Sequence, residues 1–356
     1  MGGDIDPLRS RLPVTLVTGF LGSGKTTLIG RLLRHPSMRR VAVIINEAGE
    51  IGIDHDIVAM SSEQVSLLAN GCLCCTVRTD LQETLRALFG ERRAGVIPDF
   101  DRVVIETSGL ADPAPALQTL VTDSMLAAQY RPDGVVTLVD AVHGARQLVE
   151  QEEARKQVAL ADLLLVTKDD LAAPGQVVAL REDLRELNAQ AEVRQVRLGE
   201  IGPQELVGFG PGSARVEAGN ARFLGALLRD GGPGPDASDS PGYLGGHRPG
   251  RLHAGIRTAS LRFDRPFSWP VFAEAMQAIL HLRGQDVLRV KGIVDIDGGP
   301  VVVQGVQHIL HPPLRLDRWP GADRGSRLVW ITRGMDVAAI RGMFLATQAL
   351  GAAGPR

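Results

Sequence analysis

Residues Gly19 to Thr27 read Gly-Phe-Leu-Gly-Ser-Gly-Lys-Thr-Thr and fit the phosphate-loop pattern G-x-x-x-x-G-K-[ST]. An apolar run, Val14 to Val17, precedes them, and a helical pattern, Leu28, Ile29, Leu32 and Leu33, follows. Gly19, Gly22 and Gly24 let backbone N–H groups turn inward around a polyphosphate. A helix starting near Lys25 points its positive dipole end at the same place. Lys25 can reach the β- and γ-phosphates, the Thr26 hydroxyl can ligate Mg²⁺, and Ser23 and Thr27 complete the loop. The alternative, a Gly-rich turn that binds nothing, does not account for the strand before and the helix after.

Two further strand ends carry matching chemistry. The run Val103 to Ile105 ends in Glu106, a carboxylate able to hold Mg²⁺ directly or through water. Three residues on, Gly109 can offer its N–H to a γ-phosphate. The run Leu163 to Val166 leads into Thr167-Lys168-Asp169-Asp170, close to the N-K-x-D of GTPases. Asp170 would accept hydrogen bonds from the ring N–H and amine of guanine, which adenine cannot match. The Lys168 stem would lie along the purine. Thr167 stands where Asn is usual and loses an amide that could brace the loop. A charged strand-to-helix turn is the plain alternative.

All three cysteines, Cys72, Cys74 and Cys75, lie within four residues. Nothing else in the sequence can pair with them, so a disulfide framework is excluded. Thiolates select Zn²⁺, Cu(I) or iron–sulfur clusters. Three so close cannot easily share one ion in ideal geometry, and two plus an outside ligand fit better, with Glu47 the leading candidate. The preceding stretch Asn46 to Asp54 has the glycines and carboxylates of a nucleotide-sensing switch; Glu50 and Asp54 could equally be solvated. A redox thiol set and small buried cysteines are the rival readings. His143, His308 and His311 are weaker candidates, each more often packed or exposed than ligating.

The elements that must position these residues follow from the apolar pattern. Between about 14 and 200, short runs at Val14–Val17, Val41–Ile45, Val65–Ala69, Val103–Ile105, Val135–Val139, Leu163–Val166 and Val193–Val196 alternate with helical stretches such as Leu81–Phe89 and Val177–Leu187. Most are continuous, as in strands buried on both faces, so a mostly parallel α/β sheet is expected. From Gly231 to Gly250, eleven of twenty residues are Gly or Pro, which reads as a flexible linker. It holds only His247, with His253 just beyond, and so carries no histidine tract. Strands at Ile256–Phe263, Val287–Ile296, Pro300–Val306 and Arg327–Thr332, with helices at Trp269–Leu282 and Met335–Leu350, predict a small α+β unit. The expected division is a phosphate-loop domain at 1–229, a linker at 230–254 and a C-terminal domain at 255–356.

Composition narrows the function classes. With 39 Lys and Arg against 41 Asp and Glu, the net charge of −2 argues against a nucleic-acid surface. No run of eighteen apolar residues appears, and Met1 to Leu12 lacks a signal-peptide core, so no membrane span and a cytoplasmic location are expected.

Taken together, Gly19–Thr27, Asn46–Asp54, Gly71–Cys75, Glu106–Pro113 and Thr167–Asp170 resemble the CobW-like family of metal-linked GTPases. Leu288–Gly292 and Val301–Pro313 look like that family's C-terminal domain. The Cys-x-Cys-Cys set within a phosphate-loop GTPase is the specific mark. Departures are Thr167, the histidine-poor linker, and Arg78 among the nucleotide-binding positions where Lys is expected; the charge is kept, the point-like ammonium is not. The resemblance implies a metallochaperone that couples GTP·Mg²⁺ to binding Zn²⁺, or less favourably Co²⁺, and passes it to a client metalloprotein. Lys25, Glu106 and Gly109 would serve slow turnover, since no arginine finger or water-orienting Gln is evident. A cobalt carrier for cobalamin synthesis is the nearest rival. Rivals from other classes are a phosphate-loop small-molecule kinase, a passive metal or redox protein, and a docking-only assembly factor.

Overall fold

The computed structural model describes residues 11–45, 58–60, 65–68, 73–76, 81–210 and 255–352. The chain divides into two compact units, Met1–Arg181 with Glu192–Gly212, and Glu182–Ala191 with Ser213–Arg356. The first holds β1 (Leu12–Gly19), β2 (Val41–Ile45), β3 (Val58–Met60), β4 (Val65–Leu68), β5 (Leu73–Thr76), β6 (Arg102–Glu106), β7 (Tyr130–Asp140), β8 (Leu163–Thr167) and β9 (Glu192–Val196). They form one sheet in the order β3-β4-β5-β2-β6-β1-β7-β8-β9. Every pairing from β5 to β9 is parallel. All five residues of β2 and of β8 are buried, as continuous apolar runs require of strands covered on both faces.

Register decides what meets at the carboxyl edge. Val17 lies opposite Glu106, Gly19 opposite Leu138, and Asp140 opposite Thr167. The ends of β6, β1, β7 and β8 therefore finish side by side, where open α/β sheets bind ligands. Helix α1 (Lys25–Arg34) leaves from this edge. Its Leu28, Ile29, Leu32 and Leu33 form the apolar stripe the sequence predicts and enter a core with Val17, Val43, Val136 and Leu165.

The structure corrects one expectation. Val65–Leu68 is antiparallel to its neighbours and forms a hairpin edge with β3, not a member of the parallel set. The parallel strand is β5, which includes Cys74 and Cys75 and is not among the expected apolar runs. Favouring the ligand reading over the rival of small buried cysteines hid the pattern. Cys also behaves as a small apolar residue, and Leu-Cys-Cys-Thr suits a strand. The helix expected at Leu81–Phe89 runs on as α2 (Leu81–Ala94). Further along come α3 (Ala114–Thr122), α4 (Ser124–Gln129), α5 (Gly144–Glu150), α6 (Glu152–Leu160) and α7 (Gln176–Leu187).

The second unit is antiparallel. It comprises β10 (Ile256–Phe263), α8 (Trp269–Arg283), β11 (Val287–Ile296), β12 (Gly299–Val306), β13 (Ile309–Leu310), β14 (Leu314–Arg315), β15 (Ser326–Arg333) and α9 (Val337–Ala352). The sheet order is β10-β15-β11-β12-β13, with β14 also on β12. Asp297-Gly298, both at positive φ, makes the two-residue turn joining β11 to β12. Phe267, Phe272, Phe344 and Trp330 are fully buried in its core, where Phe344 stacks on Phe272 at 5.6 Å. Helix α9 starts two residues later than predicted, because the Asp336 carboxylate accepts from the Ala338 N–H at 2.9 Å and caps it. The expected linker at 230–254, with His247 and His253, lies outside the described residues. His308 is exposed and His311 buried.

Candidate nucleotide-binding site

The phosphate loop closes at the end of β1. Gly19, Gly22 and Gly24 take φ of 146°, 73° and 96°, values that L side chains rarely adopt. Gly19 is also sterically fixed, since a Cβ there would lie 2.5 Å from the Leu138 carbonyl oxygen and 2.6 Å from Ser23 Oγ. Ser23 N–H donates to Phe20 O at 3.1 Å, turning the loop back. Lys25 is buried, and its Nζ donates to Gly19 O at 3.0 Å and lies 3.5 Å from Phe20 O. Thr26 and Thr27 are exposed on the first turn of α1.

Thr167 corrects a second expectation. Its hydroxyl donates to Ser23 O at 2.8 Å and approaches Val139 O at 3.4 Å. The brace expected to be lost with the Asn amide is made by a hydroxyl instead. Gly24 sits close enough that a Cβ there would touch the Thr167 side chain.

Lys168 follows with a left-handed φ of 57° and gives its Nζ to Asp140 Oδ2 at 2.7 Å. Asp140 is buried at the end of β7, and its Oδ1 accepts from the N–H groups of Val142 and His143 at 2.7 and 3.2 Å. Burial pushes this carboxyl up, but the Lys168 ammonium and the two amides outweigh burial and hold it below the ordinary carboxylate range. Asp169 pairs with Arg197 at 3.2 Å. Asp170 is exposed and makes no hydrogen bond among the described residues.

On the other side of β1, Glu106 is buried at the end of β6. The next residue, Thr107, donates N–H to Val17 O at 2.9 Å and its hydroxyl to Thr18 Oγ1 at 2.7 Å. This ties the post-β6 loop to the phosphate strand. At Gly109 a Cβ would lie 2.7 Å from Leu21 Cδ2 and 3.0 Å from Leu21 N, so the loop rests directly on the phosphate loop.

The nucleotide residues picked from sequence and lying among the described residues thus converge on one edge. Thr18, Thr107 and Asp140 belong with them and were missed. Asp140 had a usable signal, a carboxylate closing an apolar strand, as Glu106 does. The hydroxyl pair had none.

The donor set fits a polyphosphate. Ser23 Oγ is buried within the loop and has no hydrogen-bond partner among the described residues, a cost that a phosphate oxygen would remove. The Thr26 hydroxyl and the Glu106 carboxylate are the oxygen types Mg²⁺ takes.

The metal candidates are placed only in part. Glu47, Cys72 and Arg78, with the whole Asn46–Asp54 stretch, lie outside the described residues. Cys74 and Cys75 occupy β5, opposite Val43 and Ile44 of β2. One step further, Ile45 lies opposite Thr76 on one side and Glu106 on the other. Two strand spacings of about 4.8 Å put the end of the cysteine strand about 10 Å from Glu106. Among the described residues no group of three His, Cys, Asp or Glu is arranged to hold a metal. No described helix is long and apolar enough to cross a membrane.

Comparison with known proteins bears on the same regions. The CobW/HypB/UreG nucleotide-binding domain matches residues 13–195, and the cobalamin synthesis protein cobW C-terminal domain matches residues 256–348. The zinc chaperone YjiA of Escherichia coli is 34% identical over 303 residues, covering 84% of this chain and 87% of its own. The zinc chaperone CobW of Pseudomonas aeruginosa is 33% identical over 360 residues, with 93% and 90% covered. Crystal structures of Zn(II)-bound YjiA GTPase superpose with a TM-score of 0.72 at 31% identity, covering 95% of this chain and 99% of that one. A Zn(II)-bound triple mutant of the same GTPase, with one glutamate and two cysteines replaced by alanine, gives 0.73 at 30% identity and the same coverage. Matched along both units, this chain belongs to the CobW/HypB/UreG nucleotide-binding family and carries the CobW C-terminal domain.

Proposed function

We propose that this protein is a GTP-dependent metallochaperone that binds Zn²⁺ at its Cys-x-Cys-Cys site, through two of Cys72, Cys74 and Cys75 with Glu47, and releases it to a client metalloprotein when GTP is hydrolysed. The observation that carries the reading is the shared sheet level of Glu106 and the end of the cysteine strand, about 10 Å apart across β2. A change at the phosphates then has a short path to the thiols. The names of the relatives, zinc chaperones with a GTPase structure, support the same reading.

In this reading Gly19, Gly22, Ser23, Gly24, Lys25, Thr26 and Thr27 cradle the phosphates, with Arg78 adding charge. Asp170, exposed and available, accepts the guanine N–H groups, while Asp140 holds Lys168 beside the base. Thr26 and Glu106 would hold Mg²⁺, which when bound supplies positive charge to the β- and γ-phosphate oxygens. Gly109 offers its N–H to the γ-phosphate from a loop already pressed on Leu21. Loss of the γ-phosphate removes that contact, and the segment bearing Glu47 leaves the metal one ligand short. The second unit recognises the client.

Zinc is preferred because thiolates suit it, and Co²⁺ is the competing cargo. The Zn(II)-bound relative lacking a glutamate and two cysteines makes metal content alone a poor readout for the sulfur set. The test is therefore reciprocal coupling. Zn²⁺ affinity is measured under a competing chelator with a non-hydrolysable GTP analogue and with GDP, and analogue affinity is measured with and without Zn²⁺. The two ratios should be equal and at least about fivefold, and Cys72, Cys74 and Cys75 changed together to Ser should bring both to one. Ratios of one in the unaltered protein would overturn the proposal. A larger ratio for Co²⁺ would transfer it to cobalt, and ATP competing as well as GTP would favour a kinase.

A further inference from the structure

Buried polar side chains need a reason, and Gln157 on α6 has an unusual one. Its residue is 1% exposed. The side-chain Nε2 donates to Gly109 O at 3.1 Å and to Ala111 O at 3.0 Å, so both amide hydrogens go to the loop after β6. Its Oε1 is buried with no partner among the described residues. A Met of the same length would avoid that cost, so the two donated bonds are what the amide supplies. The backbone oxygen of Gln157 in turn accepts from the Thr137 hydroxyl at 2.9 Å, fixing α6 to β7. The neighbouring Lys156 adds an ion pair to Asp112 at 3.9 Å.

The loop is thus held at both ends. Thr107 is bonded to β1 through Val17 and Thr18. Gly109 and Ala111 are bonded to α6. Gly109, at the second anchor, also lies against the Leu21 backbone, beside the phosphate loop. A carbonyl pinned on one side of a peptide fixes the direction of the next N–H, because the peptide unit is planar. Gln157 therefore orients the Leu110 and Asp112 N–H groups directly, and by holding Ala111 it steadies the turn in which Ala111 N–H donates to Ser108 O at 3.0 Å, the oxygen that shares a peptide with the Gly109 N–H.

We infer that Gln157 is a positioning residue for GTP turnover: by holding Gly109 O and Ala111 O it presents this loop to the γ-phosphate, and so separates the response to GTP from the response to GDP. The inference rests on the GTPase reading above. Its test is Gln157→Met, which keeps length and removes both donors, with Gln157→Glu as a second variant that keeps shape and repels the carbonyls. The readouts are GTP turnover, affinity for a non-hydrolysable GTP analogue, affinity for GDP and thermal midpoint. The expected result is a fall of about 10- to 100-fold in kcat and a clear loss of analogue affinity, with GDP affinity within about twofold. GDP and analogue affinities falling together with the thermal midpoint would mean a purely structural role and would overturn the inference. So would unchanged turnover in both variants. If neither variant folds, hydrogen exchange in the unaltered protein decides: the Gly109 and Leu110 amides should exchange more slowly with the analogue than with GDP, and equal rates would overturn it. Absence of GTP turnover in the unaltered protein would instead defeat the GTPase reading itself.

Discussion

At the scale of single residues, the site depends on small polar groups doing work usually given to larger ones. Thr167→Val keeps the shape of the side chain but strands Ser23 O. The loop should lose about 1–3 kcal/mol of support, read as weaker GDP binding in a fluorescent-nucleotide titration; unchanged affinity would show that the brace is idle. Asp140→Asn removes the charge that holds Lys168. Lys168 is partly exposed, so the cost is about 1 kcal/mol near neutrality. The Asp140 carboxyl sits below its ordinary value in the folded state, so its contribution is present above about pH 4 and fades as pH falls through the lowered value. The stability gap between Asp140→Asn and the unaltered protein, measured by urea unfolding, should therefore narrow in acid and stay flat from pH 5 to 8. Residues of this kind were only half legible. Lys25, Glu106 and Asp170 stand out by motif as candidates. Gln157 does not, because a Gln on a helix reads as solvated until the fold buries it.

At the scale of elements, close approach is the governing constraint. Gly109→Ala would drive a methyl to 2.7 Å from Leu21 Cδ2 and 3.0 Å from Leu21 N. GTP turnover should fall by roughly tenfold or more while the midpoint of thermal unfolding moves little, since the loop can lift away; turnover at the normal rate would contradict the contact. Leu28→Ala empties part of the α1 stripe and should cost about 2–5 kcal/mol in urea unfolding. These elements were easy to read, because continuous apolar runs and a clean helical stripe depend on burial alone. The boundaries that shifted depend on single side chains. Asp336 delayed α9 by capping it, and the Leu73–Thr76 strand was masked by the chemistry of its own cysteines.

At the scale of the whole molecule, Trp269, Trp319 and Trp330 all belong to the second unit, so intrinsic fluorescence reports that unit while far-ultraviolet dichroism reports both. Phe344→Ala removes a ring that touches Phe263, Phe267, Phe272 and Trp330. The tryptophan-detected transition should lose about 3–5 kcal/mol; a smaller shift there than in the dichroism signal would contradict the assignment of that core. In the first unit, the strand bearing Cys74 and Cys75 is laced to the strand bearing the phosphate loop through β2 and β6. Hydrogen-bonded planking of this sort sets spacing like a ruler and does not slide. The gauge between those two strands is therefore set by main-chain bonds, and a side-chain substitution in either one leaves it unchanged.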